Sequence, residues 1–168
     1  EYRHLKDPRE ILMLDPACGS MHFGLYCFDL FEQIYKEAWD NHPELMTDLR
    51  DKYMREDFIK RIPGYILRYN IHGVDIDPRA IQIAGLSLWL RAQKSYDKLG
   101  LQPADRPAIS KSNLVIAEPM PGDVHLLSEF TKSLPGPIGK LVRVIWNKMQ
   151  LAGETGLLLK IEEELKKE

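Results

Sequence analysis

The sequence predicts an α/β protein built on a parallel sheet, and three observations carry that expectation. Short apolar runs end in a carboxylate and a sharp break at Leu14-Asp15-Pro16, at Val74-Asp75-Ile76-Asp77-Pro78 and at Ala117-Glu118-Pro119. Segments whose apolar residues recur at helical spacing follow these breaks. Strands alternating with helices form parallel sheets, and such sheets bind ligands at the carboxyl ends of their strands.

Ile11-Leu12-Met13-Leu14 is the first such run. Periodicity alone does not separate a strand from a helical turn there, but the Asp15-to-Ser20 break favours the strand. From Ser20 to about Ala38 the pattern is helical, with Phe23, Phe28, Phe31, Ile34, Tyr35 and Ala38 at three- and four-residue spacings, and Asn41-His42-Pro43 ends it. A polar helical stretch from Glu44 to about Arg61 follows, broken by Pro63-Gly64. With its flanks it makes a helical insertion over about 40–70. Its segment from Arg50 to Arg68 mixes Lys52, Arg55, Lys60 and Arg61 with Asp51, Glu56 and Asp57, as a solvated helix face does.

Ile71 to Ile76 is the second strand. Asp77-Pro78 then opens a helix with an Asp N-cap and a proline at the first helical position. Ile81, Ala84, Leu88 and Ala92 form one stripe, and Ile83, Leu86, Trp89 and Leu90 widen it so far that a largely buried helix is expected. Lys98 to Ala108 is a loop, Asn113 to Ala117 a third strand, and the remainder is helical over about 124–133, 138–152 and 154–167.

With 168 residues, 44% of them hydrophobic, the chain suits one ordinary core, so 1–168 is expected to be a single domain. Its 23 basic and 25 acidic groups give a net charge of -2, unlike a protein that grips nucleic acid by the backbone alone. Two cysteines without a Cys-x-x-Cys make a disulfide framework or zinc site unexpected and point to a reducing, cytoplasmic setting. No apolar run approaches the roughly 18 to 20 residues of a membrane span.

The loop after the first strand exposes backbone N–H groups to a ligand, and Gly19 lets the chain turn there. A carboxylate at the next strand tip can accept two hydrogen bonds from a ribose diol. Asp75 is placed for this, and Asp77 is more simply the helix cap. Phosphate-loop signatures are absent: there is no Gly-x-x-x-x-Gly-Lys-Ser/Thr and no Gly-x-Gly-x-x-Gly.

Asp15-Pro16-Ala17-Cys18-Gly19-Ser20, followed by His22-Phe23, resembles motif I of S-adenosylmethionine-dependent DNA adenine-N6 methyltransferases, usually Asp-Pro-Ala-Cys-Gly-Ser-Gly-His/Asn-Phe. His72-Gly73-Val74-Asp75-Ile76-Asp77-Pro78-Arg79-Ala80, with Gln82-Ile83-Ala84 and Leu88-Trp89-Leu90, is similar to motif II and its helix. The run to Gln93, together with Ala117-Glu118-Pro119-Met120-Pro121-Gly122, most resembles the BREX phage-defence methyltransferases of the PglX type. The motifs cover about Leu12 to Phe23, Ile71 to Gln93 and Asn113 to Asp123.

The resemblance implies a partial Rossmann-like methyltransferase fold, three-layered, mostly parallel and carrying extra helices. It implies S-adenosylmethionine as cofactor, with Asp15, Pro16, Ala17, Cys18, Gly19 and Ser20 around its methionine part. Asp75 would hold the ribose hydroxyls, Ile76 pack on the adenine ring and Glu118 accept from the adenine amino group. His22 and Phe23 are read as loop packing. DNA would be the partner through parts of a parent protein not in this chain, with other defence-system subunits as further partners.

Two departures stand out. Met21 occupies the usual glycine position, where a side chain could crowd the cofactor or block a positive φ. The Asn/Asp-Pro-Pro-Tyr/Phe motif that positions a flipped adenine is missing, so no catalytic residue is assigned and the chain alone is expected not to methylate DNA. These departures also motivate an alternative, a non-catalytic interaction module on a degenerate methyltransferase fold. A methyltransferase acting on RNA or a small molecule would share the same cofactor site.

Overall fold

A computed structural model describes residues 4–117 and 123–149. The chain divides into two compact units, 1–117 and 118–168.

The first unit holds three parallel strands, β1 (Met13–Asp15), β2 (Ile71–Asp75) and β3 (Asn113–Ile116), in the order β1-β2-β3. Met13 pairs with Ile71 and Asp15 with Gly73, while Gly73 pairs with Leu114 and Asp75 with Ile116. The α/β expectation therefore holds, with each strand within two residues of its sequence reading. The long helices α1 (His22–Asn41) and α5 (Pro78–Lys98) follow β1 and β2. Asp77 caps α5 as expected, its carboxylate accepting the Arg79 N–H at 2.9 Å.

The insertion between α1 and β2 is not one helix. It runs as a 3-10 turn (Pro43–Met46), α2 (Thr47–Lys52), α3 (Arg55–Ile59), α4 (Ile62–Tyr65) and a π-helical turn (Ile66–Asn70). Pro63-Gly64 does not break the helix as expected. Pro63 sits in the first turn of α4, where its missing N–H is harmless. The short pieces fold inward on aromatic side chains: Phe58 stacks on Trp39 with ring centroids 4.2 Å apart, and Tyr35 lies against Phe58 and Tyr65.

A polar knot sits inside this core. Asn70 is fully buried; its Oδ1 accepts from the Tyr35 hydroxyl at 3.0 Å, and its Nδ2 donates to the carbonyls of Pro8 (2.6 Å) and Ile11 (2.8 Å). Burial pushes the Tyr35 phenol far above its ordinary pKa. One amide thus ties the segment before β1, the middle of α1 and the start of β2.

The sheet is covered on one face within this unit. Met13, Ile71, Gly73 and Leu114 share the face packed against the helices, whereas Leu12, Leu14 and Val115, on the opposite face by strand alternation, are exposed. α5 is likewise buried along one stripe only. Ala84, Leu88, Ala92 and Tyr96 are buried, but Ile83, Leu86, Trp89 and Leu90 are exposed, which corrects the expectation of a largely buried helix. The sequence motif there is apolar on more faces than this unit covers.

In the second unit α6 (Val124–Lys132) and α7 (Gly136–Met149) match the expected helices. Asp123 caps α6 through the His125 N–H at 2.7 Å, and Arg143 Nη2 donates to Thr131 Oγ1 at 3.0 Å. The helix expected over 154–167 lies outside the described residues. No helix among the described residues is long and apolar enough to cross a membrane.

Candidate functional site

β1 and β2 deliver Asp15 and Asp75 to the same end of the sheet. Strand alternation puts both on the face that carries the helices, with Asp75 two residues beyond the level of Asp15. The intervening loop, Pro16 to Met21, is anchored to β2 twice. The Cys18 N–H donates to the Val74 carbonyl at 2.9 Å, and the Gly19 N–H donates to Asp75 Oδ2 at 2.8 Å. Gly19 has φ +50°, a region glycine reaches without cost.

Asp75 is therefore already a hydrogen-bond acceptor for both loops, since its Oδ1 also accepts the Asp77 N–H at 2.9 Å. These two backbone donors hold its carboxyl below the usual aspartate value, so it is ionised at neutral pH. A carboxylate offers about four lone-pair sites, so two remain for a ligand. Asp15 closes its own turn, Oδ1 accepting the Ala17 N–H at 3.2 Å. Both acids serve the local turns, and both stay partly exposed.

Around them Pro16 and Ala17 are exposed, and Ile76 is 76% exposed at the strand tip. An isoleucine held that far out presents an apolar flank beside the Asp75 carboxylate. Phe23 is 67% exposed rather than packed, which corrects its reading as loop packing, and exposed His22 shares a hydrogen bond with Ser20 Oγ at 2.8 Å. Cys18 is buried, and burial followed by the charges of Asp75 and Asp15 pushes its thiol up. It is therefore a packing group, not a nucleophile. Glu118 lies outside the described residues. Among the described residues no cluster of His, Cys, Asp or Glu is placed to hold a metal.

Met21 resolves its own difficulty. Its φ is +68°, so the loop does demand the left-handed region, and methionine adopts it. The side chain is fully buried and turns into the core against Gly24 and Gly73. A Cβ at Gly24 would come within 2.7 Å of Met21 Cγ, and one at Gly73 within 3.0 Å of Met21 Cε. The side chain fills space that two glycines leave and does not cover the loop. Sequence reasoning saw the substitution but not its partners, because Gly73 reaches Met21 only through the β1–β2 register.

BrxX of Escherichia coli O9:H4 (strain HS), an adenine-specific methyltransferase, is 34% identical over 88 residues, 52% of this chain. Over about half its length, the chain is similar to adenine-specific methyltransferases. PglX of Lacticaseibacillus casei (strain Zhang), named likewise, is 28% identical over 89 residues, and a Methanocaldococcus jannaschii protein whose name joins a type II restriction enzyme to a methyltransferase is 38% identical over 88. The match spans 6% of the length of each of these relatives. No family model matches the chain.

Proposed function

We propose that this chain is the S-adenosylmethionine-binding portion of a DNA adenine-N6 methyltransferase of the restriction or phage-defence kind. The observation that carries the reading is the Gly19 N–H to Asp75 contact, which joins two motif loops at the carboxyl end of a parallel sheet. Similarity to adenine-specific methyltransferases over about half the chain supports it.

The residues fit the cofactor. Asp75 keeps free lone pairs for the ribose hydroxyls, and exposed Ile76 offers a flat apolar contact for an adenine ring. The Pro16-to-Ser20 loop would hold the amino-acid end, with Asp15 as its acid, and the Met21 side chain is turned into the core away from the loop. When bound, the cofactor supplies the activated methyl group. The chain's own part is to orient it, since this sequence has no Asn/Asp-Pro-Pro-Tyr/Phe segment to hold an adenine.

Calorimetric titration with S-adenosylmethionine tests the reading. Ile76→Asp, at an exposed position, is expected to weaken binding about tenfold or more by putting charge beside the adenine without disturbing the fold. Absence of binding by the natural sequence, or an Ile76→Asp variant with unchanged affinity, overturns the assignment. The purified 168-residue chain is expected to transfer no methyl to adenine-containing DNA, read by tritium incorporation.

A further inference from the structure

A cavity of about 180 Å³ is lined by none of the strand-tip residues just described. It is lined by Arg61 just before α4, Tyr65 at the end of α4 and Arg68 in the π-turn, and by Ser110 and Lys111 from the approach to β3. Arg68 stands shortly before the amino end of β2, and Lys111 shortly before that of β3. The cavity therefore opens at the end of the sheet opposite Asp15 and Asp75. Asn113 pins its two walls together, Nδ2 donating to the carbonyls of Arg68 (2.9 Å) and Leu67 (3.2 Å).

Three cationic side chains line this cavity and no carboxylate does. Asp57 and Asp105 line a neighbouring cavity that shares Arg61 and Pro107 with this one, and there Asp57 is paired with Lys60 at 2.9 Å. Arg61 and Arg68 rest on the rings of Tyr53 and Tyr69, with 4.3 and 5.3 Å to the centroids. Arg61 Nε is shut off from solvent without a hydrogen-bond partner. In a chain of net charge -2, this is a local concentration of positive charge, with Arg68 and Lys111 exposed. A phosphate oxygen set matches it, because guanidinium groups bind phosphate through paired N–H donors, and Ser110 adds a hydroxyl.

We propose that the Arg61–Arg68–Lys111 cavity is a phosphate-binding site, separate from the strand-tip site and independent of its cofactor. The phosphate comes either from a nucleic-acid backbone or from a free phosphate or nucleotide, and two probes separate these. Anisotropy of a labelled DNA duplex and calorimetry with inorganic phosphate are measured on the whole chain and on an Arg68→Ala/Lys111→Ala double variant, both positions being exposed.

Backbone binding predicts about a tenfold loss of duplex affinity, with the slope of log K against log salt shallower by about 2. Free-phosphate binding predicts a calorimetric signal for inorganic phosphate that the double variant abolishes. A Lys94→Ala/Lys98→Ala variant, removing equal charge elsewhere, is expected to leave the affected probe unchanged. If neither probe binds, or if both double variants lose affinity equally, the site is overturned. None of these outcomes bears on S-adenosylmethionine affinity at Ile76, so the two proposals stand or fall separately.

Discussion

Met21 holds a backbone conformation that disfavours an L-residue by roughly 1–2 kcal/mol, yet its buried side chain contributes more. Emptying a buried methionine site costs about 2–5 kcal/mol, so Met21→Gly is expected to lower stability by about 1–3 kcal/mol in urea denaturation, despite relieving the strain. Gly73→Ala is expected to destabilise similarly, because its Cβ would meet Leu114 Cδ2 at 2.8 Å and Cys18 Sγ at 3.0 Å. Asp75 gives a pH signature. Its folded pKa is depressed by two backbone donors, so its contribution is present above the unfolded value of about 3.9 and is lost as pH falls through the folded value. Stability measured between neutral and acid pH is expected to fall less steeply below pH about 4 in Asp75→Asn than in the natural chain. Both acids were legible in the sequence as strand-end carboxylates; that Asp75 reaches across to Gly19 was not, since that bond depends on two strands far apart in sequence.

At the scale of elements, α5 shows how far periodicity carries. The Asp77-Pro78 start and the stripe through Ala84, Leu88 and Ala92 were legible because cap chemistry and helical spacing are local. Which of its apolar faces is buried was not, because that depends on what packs against it. The two faces should respond differently to mutation. Leu88→Ala, 1% exposed, is expected to cost about 2–5 kcal/mol, whereas Leu86→Lys, 57% exposed, is expected to shift stability by about 0.5 kcal/mol or less, both read from thermal melts. The insertion was legible as helical but not as five short pieces, since these pack through the aromatic contacts of Trp39, Phe58 and Tyr65 rather than being marked by caps. None of α2, α3 and α4 has a side-chain cap hydrogen bond.

For the whole molecule, the sheet is the frame on which the site rests, and within the first unit nothing covers Leu12, Leu14 and Val115 on one face. Parallel sheets normally have both faces covered, so the isolated chain is expected to self-associate with rising concentration, and Leu14→Glu to reduce that association in sedimentation velocity without lowering the melting temperature. The three parallel strands and their order of appearance were readable from the carboxylate breaks; the bare face was not, because alternation within three- to five-residue strands carries too little pattern. Asn70 adds a temporal consequence. Its bonds to Pro8 and Ile11 close loops of 62 and 59 residues, whereas α5 and the insertion are built from near neighbours. Long loops close late and slow the search. Pulse-labelled hydrogen exchange during refolding is expected to protect the amides of α5 first and those of β1 last, making the strand that carries Asp15 the final piece to arrive.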